Sequence, residues 1–107
     1  MAPSEESVVP EEIRHALSRW CAERIPEAER EHRQIGYTIQ GREVVVSDRR
    51  APADPELGAE WTATPLARLV VDGAGRWTLH RPVAGGRWKP AAEGDDPIAL
   101  LTDQAPA

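Results

Sequence analysis

The segment QIGYTIQGREVVVSD, residues 34–48, constrains the fold more than any other part of the chain. Ile35, Tyr37 and Ile39 alternate with Gly36, Thr38 and Gln40, the pattern of a strand with one apolar face. Gly41-Arg42 then makes a two-residue loop with glycine first, which suits a type II′ hairpin turn. That loop fixes a register: Gln40 opposite Glu43, Ile39 opposite Val44, Tyr37 opposite Val46. Every large apolar side chain except Val45 then falls on one face.

A second run, RLVVDGAGRWTLHRPVAGGRW, repeats the logic over residues 68–88. LARLVVD reads as a strand, GAG as a tight loop, RWTLHRP as a strand, VAGG as a loop and RWKP as a short third strand. Setting Asp72 opposite Arg76 places Val71 against Trp77 and Leu69 against Leu79. The other face then shows Arg68, Val70, Thr78 and His80. Pro90 either ends this ladder or marks an edge. The DGAGR segment has the look of a phosphate-binding glycine loop, but such a loop needs a helix after it. A strand follows here, so the glycines are read as turn residues.

Helices bracket the two hairpins. Pro10 followed by Glu11 and Glu12 suits a first helical turn. Ile13, Ala16, Leu17, Trp20, Cys21 and Ile25 then form one stripe at helical spacing, and Pro26 ends the helix or starts a new turn. Near the C-terminus, DDPIALLTD reads as a short helix. Asp96 is its cap, Pro97 its first residue, and Ile98 and Leu101 its apolar face. Residues 49–65 read as a long Pro-rich connection with Trp61 as its anchor. Residues 1–8 and 105–107 read as tails around a single domain over 9–104.

The chain has 107 residues and a net charge of −5, with acidic ends and a mildly basic middle. Its length suits one domain that folds without metal or disulfide. The single cysteine, Cys21, excludes an internal disulfide. The apolar runs are too short for a membrane helix and the first residues are acidic, so a cytoplasmic protein is expected. Cys21 and the histidines His15, His32 and His80 lack the spacing of a metal site. Cys21 lies mid-helix, and neither Ser18 nor Ser47 has a nucleophile signature. No catalytic residue, metal or cofactor is therefore assigned.

The chemistry-bearing constellation is basic and aromatic. Arg49, Arg50, Arg68, Arg76, Arg81, Arg87 and Lys89 belong to the sheet region or its flanks, interleaved with Trp61, Trp77 and Trp88. Tryptophans in such company either stack on arginines and ligands or fill the core across strands. The ordered set RWCAERIP, YTIQGREVVVSDRRAP, EWTATPLARLVVD, GRWTLH and GRW resembles a family of short bacterial proteins of unknown function, family three-zero-two-four. The matching positions are Cys21, Pro26, Arg49, Arg50, Pro52, Trp61, Thr62, Pro65, Ala67, Arg68, Trp77, Thr78, Leu79 and Trp88. The chain departs from that pattern at Ala53 and at Pro90-Ala91, where the family has aromatic residues. The resemblance implies a small stand-alone domain and supplies no activity.

These readings combine into an α+β fold. An N-terminal helix packs on an antiparallel sheet of about five strands, arranged as two hairpin units, with a short C-terminal helix. The expected core is Ile13, Leu17, Trp20, Ile35, Tyr37, Ile39, Val44, Val46, Leu69, Val71, Trp77 and Leu79. The expected function is a non-enzymatic protein-interaction or adaptor module. Its binding face for a protein partner, a second copy or an anion would comprise Arg49, Arg50, Trp61, Arg68, His80, Arg87 and Trp88. Nucleic acid binding through the same face is the alternative, weighed against by the acidic net charge.

Overall fold

The computed structural model describes residues 9–52 and 60–104, so both expected tails lie outside the described residues. Helix α1 spans Glu11–Arg24, and a short 3-10 turn at Glu27–Glu29 follows. Five strands come next: β1 Arg33–Gln40, β2 Glu43–Arg50, β3 Thr62–Val71, β4 Trp77–Val83 and β5 Arg87–Gly94. Helix α2, Pro97–Gln104, follows β5. The strands pair in sequence order as one antiparallel meander, β1-β2-β3-β4-β5.

Both hairpins adopt the register expected from their loops. Gln40 pairs with Glu43, Ile39 with Val44 and Tyr37 with Val46. Gly41 has φ 61°, which the first position of the turn requires and glycine adopts without steric cost. Val71 pairs with Trp77 and Leu69 with Leu79, and the Asp72 amide donates to the Arg76 carbonyl. Asp72 also accepts, through Oδ1, from the amides of Ala74 and Arg76. These bonds hold its carboxyl below the usual aspartate range.

The strands run further than alternation alone suggests. β2 continues to Arg50 and β3 begins at Thr62, so the expected connection over 49–65 shrinks to residues 51–61. Trp61 precedes β3 on the helix-free side of the sheet and is 37% exposed, and residues 53–59 of the connection it is expected to anchor lie outside the described residues. Pro90 does not end β5, which continues to Gly94, so the proline marks an edge.

One face of the sheet is covered. Val44, Val46, Ala67, Leu69, Val71, Trp77 and Leu79 meet Leu17, Trp20 and Cys21 of α1 and Leu100 and Leu101 of α2 in one buried cluster. Ile13, Ile35, Tyr37 and Ile39 pack at its margin, half-buried. The Trp20 indole donates from Nε1 to Thr102 Oγ1 at 3.2 Å, tying the two helices. Burial pushes the Cys21 thiol up to about 11, with Arg24 partly offsetting it, so Cys21 stays a protonated core residue at neutral pH.

Asp96 caps α2, accepting from the Ile98 amide at 2.9 Å and the Ala99 amide at 3.4 Å. Asp96→Ala should cost about 1 kcal/mol. Chemical denaturation would register that loss with the sheet intact.

Candidate functional site

The other face of the sheet has no helix against it among the described residues. Alternation assigns its occupants: Gln34, Gly36 and Thr38 from β1, and Glu43, Val45, Ser47 and Arg49 from β2. Ala63, Arg68 and Val70 come from β3, Thr78, His80 and Pro82 from β4, and Trp88, Pro90 and Glu93 from β5.

This alternation divides the expected site residues. Arg49 is on the helix-free face and its guanidinium lies over the Trp61 ring, 5.8 Å from the centroid. That distance is within the range of a cation–π contact. Arg68 lies mid-sheet on the same face, directly opposite His80 across the β3–β4 ladder. The His80 Nδ1 is 3.4 Å from the Arg68 carbonyl oxygen. Trp88 is half-buried on this face, opposite Pro82. The face thus gathers Arg49, Trp61, Arg68, His80 and Trp88.

Arg50 and Arg87 are not among them. Arg50 follows Arg49 in the same strand, so its side chain leaves on the helix side. There it joins Arg33 on the buried carboxylate of Asp48, at 3.2 Å and 3.0 Å respectively. Arg33 makes the two-pronged contact, donating from Nε and Nη2 to both carboxylate oxygens. That charge-assisted pair holds the Asp48 carboxyl below its ordinary range despite burial, and Arg50 adds to the effect. Arg87 pairs with Val83 at the far end of the β4–β5 hairpin, on the helix side of the strand.

The cations on the helix-free face differ in their company. Arg68 donates from Nε to Glu43, so its charge is neutralised within the sheet. Arg76, the residue before β4, is held by Glu93 at 2.8 Å and by Asp95 at 3.8 Å. Among the described residues no carboxylate reaches ion-pair distance of Arg49. Its aliphatic stem passes over Gly36, where an added Cβ would lie 3.5 Å from Arg49 Cδ. The missing side chain leaves a shallow depression of about 430 Å³ lined by Gly36, Thr38, Val45, Ser47, Arg49 and Ala63. Gly36 and Val45 were not singled out from sequence as site residues. The hairpin register places both on this face, and that register is the signal from which they could be found.

Among the described residues no three His, Cys, Asp or Glu side chains group as metal ligands. His15 is exposed beside Glu11, at 3.6 Å, one turn away on α1. No helix of the described residues is long and apolar enough to cross a membrane.

The pattern of tryptophans, arginines and turns that makes this face extends over nearly the whole chain. The family described as Domain of unknown function (DUF3024) matches residues 5–103. The chain belongs to this family. No curated protein and no solved structure matches it. Within this DUF3024 chain, Trp77 and Leu79 serve the core, whereas Arg49, Trp61 and Arg68 lie on the face that the helices leave open.

Proposed function

We propose that this DUF3024 domain is a non-enzymatic protein-interaction module, and that it binds an acidic segment of a partner protein on the helix-free face of its sheet. The observation that carries this reading is the placement of Arg49, which lines the Gly36 depression and lies over the Trp61 ring. It supplies a cation without a described carboxylate partner, an exposed aromatic ring and a recess in one place. A carboxylate can take charge-assisted bonds from the Arg49 fork, while the residue beside it lies on the indole. A protein partner is favoured over nucleic acid because Arg68 and Arg76 are already neutralised by carboxylates of the sheet. The surface therefore lacks the run of uncompensated cations that phosphate binding needs.

Fluorescence anisotropy with labelled hexaglutamate and a labelled thymidine oligonucleotide separates the two readings. At low salt the peptide should bind, and Arg49→Glu should weaken it at least tenfold (about 1.4 kcal/mol). Tighter binding of the oligonucleotide, or peptide binding untouched by the substitution, contradicts the proposal.

A further inference from the structure

The two edges of the sheet are built differently. Hydrogen bonding around the turns shows which backbone groups each edge exposes. The His32 carbonyl accepts from the Ala51 amide, and Gln40 and Glu43 close the two-residue turn. In β1 the even-numbered residues therefore bond to β2, and the amides and carbonyls of Ile35, Tyr37 and Ile39 face outward. On the opposite edge, the Asp72–Arg76 bond sets the alternation through β4 into β5. Pro90 then faces outward and removes a donor from that edge, flanked by Lys89 and Glu93. Such features block strand addition. β1 has no proline among its eight residues, and Arg33, its sole charged residue, is tied to Asp48.

We infer that β1 is a self-association edge, which pairs antiparallel with β1 of a second copy about a two-fold axis through Tyr37. The strand is self-complementary in that register. Ile35 falls opposite Ile39 of the second copy and Tyr37 opposite its counterpart, so outward-facing backbone groups meet outward-facing backbone groups. On the helix-free side Gly36 meets Thr38 and Gln34 meets Gln40, and no like charges oppose. Side chains also suit the edge to a partner. Ile35, Tyr37 and Ile39 are half-buried in the single copy. A groove of about 380 Å³ runs between α1 and this edge, lined by Cys21, Ala22, Ile25, Ile35 and Tyr37 among others. Tyr37 is held in place, donating from its hydroxyl to the Arg14 carbonyl at 3.1 Å and accepting from Ser18 Oγ at 2.7 Å. The product is a ten-stranded sheet with both helix layers on one side and both helix-free faces on the other.

The test combines sedimentation equilibrium with residue-resolved amide exchange across protein concentration, on the intact chain. The mass should rise from 11.8 kDa to twice that value. The amides of Ile35, Tyr37 and Ile39 should become protected in step with it, while the outward amide of Trp88 stays unprotected. Ile39→Pro, which removes an outward-facing donor without touching a β1–β2 bond, should return the protein to monomer. A monomer at millimolar concentration overturns the inference. So does a dimer that protects Trp88 instead of β1, or one that Ile39→Pro leaves intact. None of these outcomes depends on whether the Arg49 face binds hexaglutamate.

Discussion

Trp77→Ala is expected to cost about 3–5 kcal/mol, enough to bring the domain to the verge of unfolding. Trp77 is 4% exposed and stands opposite Val71, in the cluster that joins the sheet to both helices. Truncation there removes the largest side chain of the covered face and leaves a cavity among groups that strands on either side hold apart. Urea denaturation followed by circular dichroism should show the midpoint falling by roughly 2 M, or no folded baseline at all. Trp61→Ala is the control, because its side chain lies exposed on the other face and its loss should change stability by about 0.5 kcal/mol or less. Equal effects at the two positions would mean that the assignment of faces is wrong.

The second large effect belongs to Asp48. Its carboxylate is buried to 8% exposure and receives both Arg33 and Arg50. Asp48→Ala removes the shared acceptor and leaves two guanidinium groups at the end of the sheet. Both retain solvent access, so the expected loss is about 2 kcal/mol rather than the larger cost of stranding a fully buried charge. The pH dependence has a definite sign. Folding depresses the Asp48 pKa, so its contribution is fully present above the carboxylate range of the unfolded chain. It is lost as pH falls through the lower, folded value. Asp72 is depressed as well and acts in the same direction. Stability measured from pH 7 downward should therefore decline on entering the carboxylate range. Asp48→Asn should flatten part of that decline. An unchanged acid profile in Asp48→Asn would show that Asp48 does not contribute to acid stability.

Much of the fold was legible because turns and alternation are local. Gly41-Arg42 and the Asp72–Arg76 closure each define a register, and a register assigns every side chain on its strands to a face. Asp96-Pro97 announced α2 by capping chemistry in the same way. What alternation left unread was long-range. β2 and β3 pair across residues 51–61, and that pairing, with its irregularity at Val46/Ser47, extends both strands beyond their apolar runs. Leu100 and Ala67 became core residues only through contacts between elements distant in sequence.

The candidate site was legible in composition more than in geometry. Arginines and tryptophans do gather, but adjacent residues of one strand point to opposite faces. Arg49 and Arg50 therefore part, one onto Trp61 and the other onto Asp48. Trp61 reads as an anchor when its segment is taken for a loop. Once the segment is adjacent to a strand, the same residue falls where no helix covers it. The pairing of Arg68 with Glu43 follows from neighbouring strand positions rather than from any motif. It changes a basic surface into one that is basic at a single corner.

Arg49, lining the Gly36 depression and lying over Trp61, is the proposed binding surface. Amide and indole chemical shifts recorded during a hexaglutamate titration test it most directly. Movements should be confined to Gly36, Val45, Ser47, Arg49, Ala63 and the Trp61 indole, and absent in Arg49→Glu. Movements centred instead on Arg33, Arg50 and the helix-covered face, or none at millimolar peptide, would contradict it.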